Sequence, residues 1–305
     1  MLVDLRSKTF AIAPLLAASL WGGMYVVSKW GFDAVPPLTL AFLRVVLGAA
    51  TLLVVVRLVY PRRTFSRAEW GRFAVLGLWV AVTMATQFVG TDLTTASEGA
   101  LITVLTPVFT LALGVIVLDE LLTRRKVVGT VVALVGTVAV LAGQYDLATV
   151  GAGTTAGVVV LVLASAGWAA YTVWGKPMIR RYSALETATY STVLAVPLLA
   201  VLVPIEFVAG DASLAAIPLT LSVVGAVVYL GVFSTAVAWY CWYKGLEYVD
   251  AGTVAVYFFA QPVVGAVLGA VFLGESLGYG FVVGGTLMAL GIYLVSTRTE
   301  TVPTK

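Results

Sequence analysis

The chain alternates between long apolar runs and short polar breaks. Ten runs approach the length of about 20 residues that a helix needs to cross a bilayer core of about 30 Å: Phe10–Lys29, Leu38–Val59, Phe73–Thr91, Ala96–Leu118, Val127–Gly143, Ala156–Trp174, Thr187–Pro204, Leu219–Tyr243, Thr253–Leu273 and Phe281–Thr297. They lack the strict alternation of a membrane barrel. Helix is therefore expected throughout, because hydrocarbon offers no partner to an unpaired backbone group.

The pattern also repeats. Ala96–Val140 aligns without a gap on Ala251–Val295, superimposing Pro107 on Pro262, Gly114 on Gly269, Glu120 on Glu275, Gly129 on Gly284 and Gly136 on Gly291. A weaker match places Trp21 and Lys29 on Trp168 and Lys176. The two matches imply halves at 1–150 and 151–305, the second carrying about eight extra residues around Glu206–Pro218. Five helices per half is an odd number, so the halves enter the membrane from opposite faces. That is an inverted-topology repeat, in which a site near the midplane is opened to either side by exchanging the conformations of the halves.

Charge orients the repeat. Of the 18 Lys and Arg residues, all but Lys29 and Arg44 fall on the side that holds the N-terminus, which predicts that both termini are cytoplasmic. Arg6 and Lys8 before the first run resemble the start of a signal peptide, but the counterpart run around Trp168 is internal, so a retained helix is expected.

Composition narrows the chemistry. With 61% hydrophobic and 11% charged residues and a mean hydropathy of +1.04, the chain is a polytopic membrane protein. His and Asn are both absent, which argues against a metal or other cofactor, a His-based proton relay and a catalytic triad. Cys241 stands alone, so no intrachain disulfide forms. The net charge of +3 is dispersed over short loops rather than gathered in a stripe, which argues against nucleic acid as a partner.

These features together resemble the EamA-type ten-helix permeases of the drug/metabolite transporter superfamily. The resemblance rests on the duplicated proline-to-glutamate block, the glycine-spaced helix after each copy, and the Trp-and-Lys first helix of each half. It implies ten helices in two inverted repeats around a central cavity, no covalent chemistry, and export or exchange of small metabolites, often amino acids or related amphiphiles. The localisation implied is the plasma (inner) membrane.

Arg44 lies roughly 10 Å deep in the second run, where a charge costs about 2.5–3.5 kcal/mol on insertion scales and so faces protein or water. It is a candidate for attracting a carboxylate or phosphate from a cavity, or else a side chain snorkelling toward the outer headgroups or bonded to a helix-end carbonyl. Trp21 with Tyr25, and Trp168 with Tyr171, sit on one face of matched helices and suit either a cavity wall or packing. Gln87, Tyr190, Tyr257 and Gln261 are polar positions inside apolar runs and mark the bundle interior, as do Ser234 and Tyr240. Pro107 and Pro262 are candidate hinges, since each frees the carbonyl four residues earlier. Glu120 and Glu275, at helix ends, are expected to cap or anchor loops rather than carry protons, and Glu98 is the remaining acid near a cavity. Gly265 and Gly269 form a GxxxG whose close contact lies within the chain or between two chains, so the expected state is a monomer or a weak homodimer.

The functional expectation is a secondary transporter for amino acids or aromatic amphiphiles, working outward by facilitated diffusion or exchange. A nucleotide-sugar or phosphorylated-metabolite exchanger is the first alternative, and a non-transport membrane subunit the second; the exchanger is the one that bears on Arg44. It would want more than one cation at the midplane.

Overall fold

The computed structural model describes residues 12–144, 154–209, 217–273 and 278–296, and these are helical with short connections. Helices α1 (Ala13–Gly22) and α2 (Met24–Phe32) make the first span, α3 (Pro37–Val59) the second and α4 (Arg67–Asp92) the third. The fourth is α5 (Ala96–Thr103) with α6 (Thr106–Leu118), and the fifth is α7 (Arg124–Gln144). In the second half α8 (Thr155–Arg181) and α9 (Ala184–Ala209) follow. The eighth span joins α10 (Leu221–Val228), a π-helical segment (Tyr229–Val237) and α11 (Ala238–Leu246). The ninth joins α12 (Ala251–Val256), one 3₁₀ turn (Tyr257–Phe259) and α13 (Ala260–Leu273), and α14 (Tyr279–Ser296) is the tenth.

Nine of these spans are long and apolar enough to cross a bilayer as single stretches among the described residues. The first is not among them, and its chain breaks at Gly23. Its counterpart α8 carries Ala169 and Ala170 where the first half has Gly22 and Gly23, and it stays unbroken for 27 residues. Glycine weakens a helix interior and alanine strengthens it, so this difference falls where propensity puts it.

Several helices outrun their apolar runs. Helix α4 begins at Ser66 rather than Phe73, through a capping box in which Ser66 Oγ accepts from Glu69 N (3.3 Å) and Glu69 Oε2 accepts from Ser66 N (2.7 Å). Helix α8 passes Trp174 and reaches Arg181. The apolar pattern stops at the first charges, whereas the backbone ladder continues past them.

The inverted relation is visible in the packing. The fifth spans of the two halves, α7 and α14, cross through their matched glycines: a Cβ on Gly129 would lie 2.8 Å from Gly291 O, and one on Gly136 would lie 2.6 Å from Gly284 O. Gly129 corresponds to Gly284 and Gly136 to Gly291, so each glycine meets the counterpart of the other. That exchange is the signature of an isologous, antiparallel contact, here inside one chain. Other pairs recur the same way. The first span packs on the eighth and ninth, as the sixth packs on the third and fourth. The repeats are thus interleaved rather than set side by side. Helix α1 crosses α13 at glycine too, with Gly22 O 3.0 Å from a Cβ placed on Gly265, so that part of the GxxxG is spent within the chain.

Candidate functional site

The broken helices converge on the centre. In the fourth span the ladder stops at Thr103 and resumes at Thr106, with Pro107 in the first turn of α6. In the ninth, the 3₁₀ turn ends three residues before Pro262. Each proline therefore opens a helix rather than kinking a continuous one, which is where its missing N–H costs least. Both breaks face a narrow cavity of about 20 Å³, room for little more than a water molecule, lined by residues of both halves.

Five of the sequence candidates reach that wall: Trp21, Arg44, Gln87, Trp168 and Gln261. Tyr25, Tyr171, Tyr190 and Tyr257 do not line it. Tyr25 stands behind the wall, where its hydroxyl meets Thr103 Oγ1 (2.6 Å) and accepts from Gln87 Nε2 (2.8 Å). Tyr171 stacks on Tyr243 with centroids 4.7 Å apart and pairs with Ser191 Oγ at 3.1 Å. Tyr257 is buried in the 3₁₀ turn. Tyr190 belongs to a separate aromatic cluster with Phe65 (4.8 Å), Phe73 (5.4 Å) and Trp70 (5.5 Å). It sits six residues into α9, about 9 Å from the helix start, and that depth holds the cluster near one face.

Arg44 is fully buried. Its Nε donates to Thr235 Oγ1 (2.7 Å), Nη1 to Met24 Sδ (2.8 Å), and Nη2 to Ser234 O (3.0 Å) and Ser234 Oγ (3.2 Å). Both Ser234 and Thr235 lie in the π-helical segment, whose wider turn leaves carbonyls available that an α-helix would consume. Trp21 Nε1 donates to the same Ser234 O at 2.8 Å. The arginine and the first-span tryptophan are thereby tied to one point of the eighth span.

The rest of the wall is aromatic. Trp21 meets Trp168 edge to face at 5.1 Å, and Trp242 and Phe258 at 5.2 and 5.5 Å. Trp168 meets Trp239 at 5.4 Å. Sequence reading missed Trp239 and Phe258 because an aromatic residue in an apolar run carries no polar mark. Met24, Thr83, Thr103 and Ser165 also line the cavity. Ser165 shares the repeat's Ala-Ser pair, the one signal that pointed to it.

Towards the face where the basic residues gather, ion pairs join the two halves. Glu120 sits just past Asp119, whose left-handed φ of 54° turns the chain at the end of α6. The Glu120 carboxylate accepts from Ala251 N (2.7 Å) and Gly252 N (3.1 Å), capping α12 of the other half, and pairs with Lys176 at 3.0 Å. Lys126 pairs with Asp250 at 3.1 Å. Glu120 caps, as expected of a helix-end acid, but it does so across the repeat boundary and nearly buried, with 10% of its side chain exposed. Beyond it opens a charged vestibule of about 640 Å³ that includes Arg125 and Arg180. At the opposite face Lys29 is held by the carbonyls of Thr91 (3.2 Å), Asp92 (2.8 Å) and Thr94 (2.9 Å). Lys176 likewise donates to Val249 O (3.1 Å), and Val249 is the repeat counterpart of Thr94. Glu275 and the side chain of Glu98 lie outside the described residues.

Comparison with known proteins agrees with this architecture. The profile of the EamA-like transporter family matches the chain twice, at residues 9–142 and 155–297. An uncharacterized transporter of Archaeoglobus fulgidus is 28% identical over 283 residues, covering 92% of this chain and 96% of its own. A protein of Salmonella typhimurium named as a probable amino-acid metabolite efflux pump is 25% identical over 298 residues, covering 94% and 95%. A crystal structure at 18% identity superposes with a TM-score of 0.77 over 97% of this chain and 99% of that one, which supports the fold alone.

Proposed function

The chain belongs to the EamA-like transporter family, and we propose that it moves small organic metabolites, amino acids or aromatic amphiphiles, outward by alternating access. The observation that carries this reading is the position of the cavity: it lies where the helix breaks of two inverted repeats meet, and ion pairs join the halves towards one face. Inverted repeats around a midplane site are the architecture by which one site is exposed to each face in turn. A relative named as an amino-acid metabolite efflux pump supports the substrate class. The single cation on the wall, Arg44, favours carboxylates over the two or more negative charges of a phosphate ester.

The protein sits in the plasma membrane with both termini cytoplasmic, a reading that rests on the gathering of Lys and Arg at one face. Pro107 and Pro262 serve as hinges, and the helix breaks beside them support that role. Transport runs by exchange or facilitated diffusion, as a monomer or weak homodimer, without covalent chemistry.

Purified protein in liposomes, challenged with labelled amino acids, aromatic acids and sugar phosphates, tests the proposal. Movement of amino or aromatic acids is expected, with Trp168→Ala and Arg44→Ala each slowing it at least tenfold. A broad panel in which no solute outruns empty liposomes would sink the reading. Uptake that stops when the pH gradient is collapsed would overturn the uncoupled mechanism.

A further inference from the structure

Three tryptophans and one phenylalanine line the cavity, and Trp242 packs against Trp21 behind them. Trp21 Nε1 donates to Ser234 O and Trp242 Nε1 to Thr172 Oγ1 (2.9 Å). Trp168 Nε1, on the cavity wall and in a residue only 5% exposed, is a fully buried donor with no partner among the described residues. An indole N–H can only donate, and a buried donor left unpaired is costly, so this group calls for an acceptor from elsewhere. Two more unpartnered polar atoms share the wall, Gln261 Nε2 and Thr83 Oγ1.

The charge on the wall has the same sign of need. Arg44 makes no ion pair with a described carboxylate, and its neutral partners leave its full positive charge uncompensated. Its Nη1 is held by the thioether of Met24, a weak acceptor that an anionic oxygen outcompetes. Among the described residues the lining includes neither Asp nor Glu. An ammonium brought here would meet a like charge and no described counter-ion, and would shed most of its hydration on entering, which disfavours it strongly.

We propose that the cavity, widened beyond its present water-sized volume as the halves part, selects an aromatic carboxylate, reading the acid through Trp168 Nε1 and the Arg44 charge and the ring through the lining tryptophans, and that it does not read an α-ammonium group. The inference rests on the transport reading above and narrows it: an amino acid is carried by virtue of its carboxylate and side chain, and its des-amino analogue is carried as well or better.

Three near-isosteric ligands test this on the full-length protein. Binding of 3-phenylpropionate, L-phenylalanine and phenethylamine is measured in detergent by tryptophan fluorescence, and uptake of the two acids in proteoliposomes. We expect 3-phenylpropionate to bind at least as tightly as phenylalanine, and phenethylamine at least tenfold more weakly than either. Trp168→Phe keeps a ring but removes the donor, so it should weaken 3-phenylpropionate at least fivefold and leave phenethylamine unchanged, with the thermal midpoint checked alongside. Phenethylamine binding as tightly as 3-phenylpropionate, or phenylalanine binding tenfold more tightly than its des-amino analogue, would overturn the proposal. Uptake of phenylalanine without 3-phenylpropionate sinks the selectivity and leaves transport standing; failure of every solute in the wider panel sinks transport itself.

Discussion

Lys29 and Lys176 occupy matched places in the two repeats and end in different surroundings. Lys176 is 4% exposed and joins a carboxylate of the other half, while Lys29 is half-buried and held by carbonyls at and just past the end of the third span. Each lysine reaches the same carbonyl in its own repeat, Val249 or Thr94. Among the described residues, the acid stands at one end. At the Lys176 end, Glu120 gathers a lysine and two helix-opening amides into one knot between the halves. Matched lysines of the two repeats thus hold different described partners, and the Lys176 end is latched.

Removing the latch should cost most. Glu120→Ala leaves Lys176 buried without its carboxylate and the first two amides of α12 without their acceptor, although Asp250 still caps Thr253 N, so a loss of about 3–5 kcal/mol is expected, read as a fall in thermal midpoint in detergent. Lys176→Met leaves Glu120 bonded to two amides and should cost about 2 kcal/mol. Equal effects from Glu120→Ala and Lys29→Met would erase the distinction between the ends.

The crossing of α7 and α14 offers the next test. A Cβ on Gly284 would press on Gly136 O and lie 2.6 Å from Val140 N, both backbone atoms that cannot step aside. Gly284→Ala should therefore destabilise by about 1–3 kcal/mol. At the adjacent Gly285 the nearest atom is 4.0 Å away, so Gly285→Ala should be neutral or slightly stabilising. Parity between the two would mean that the halves do not cross there.

Lys29→Met should cost only about 1 kcal/mol, since it removes hydrogen bonds near water rather than a buried ion pair. Smallest of all is the turn behind the latch. Asp119 adopts a left-handed conformation, and its repeat counterpart is Gly274. Asp119→Gly should be neutral or stabilise by about 0.5 kcal/mol, whereas Asp119→Val should cost about 1–2 kcal/mol. A tolerated valine would contradict the left-handed turn.

Much of this architecture was legible in the chain. Apolar runs gave the spans, and the duplicated block gave the repeat, because burial in lipid and close helix packing both leave marks in residue type. Gly22 and Gly23 against Ala169 and Ala170 foreshadowed the break in the first span without declaring it. The π-helical segment left no mark, since Tyr229–Val237 is as apolar as its neighbours and its widening answers to Arg44, a distant partner. Of the cavity, Trp21, Arg44, Gln87, Trp168 and Gln261 were legible as aromatic or polar interruptions in matched helices. Trp239 and Phe258 were not, and Tyr190 misled because a hydroxyl in an apolar run looks the same whether it faces the centre or an aromatic cluster near one face. Lys29 and Lys176 matched in sequence, yet their carbonyl partners have no residue identity to betray them.

The claim that the two ends open alternately is tested most directly by distance measurements between spin labels in a Cys241→Ser background. One labelled pair spans the latch, at Leu121 and Arg180, and another the opposite face, at Leu93 and Tyr279, all at exposed positions. Introducing Glu120→Ala should lengthen the first distance and shorten the second. If both pairs lengthen together, or neither moves, the ends are not coupled and the alternating-access account fails.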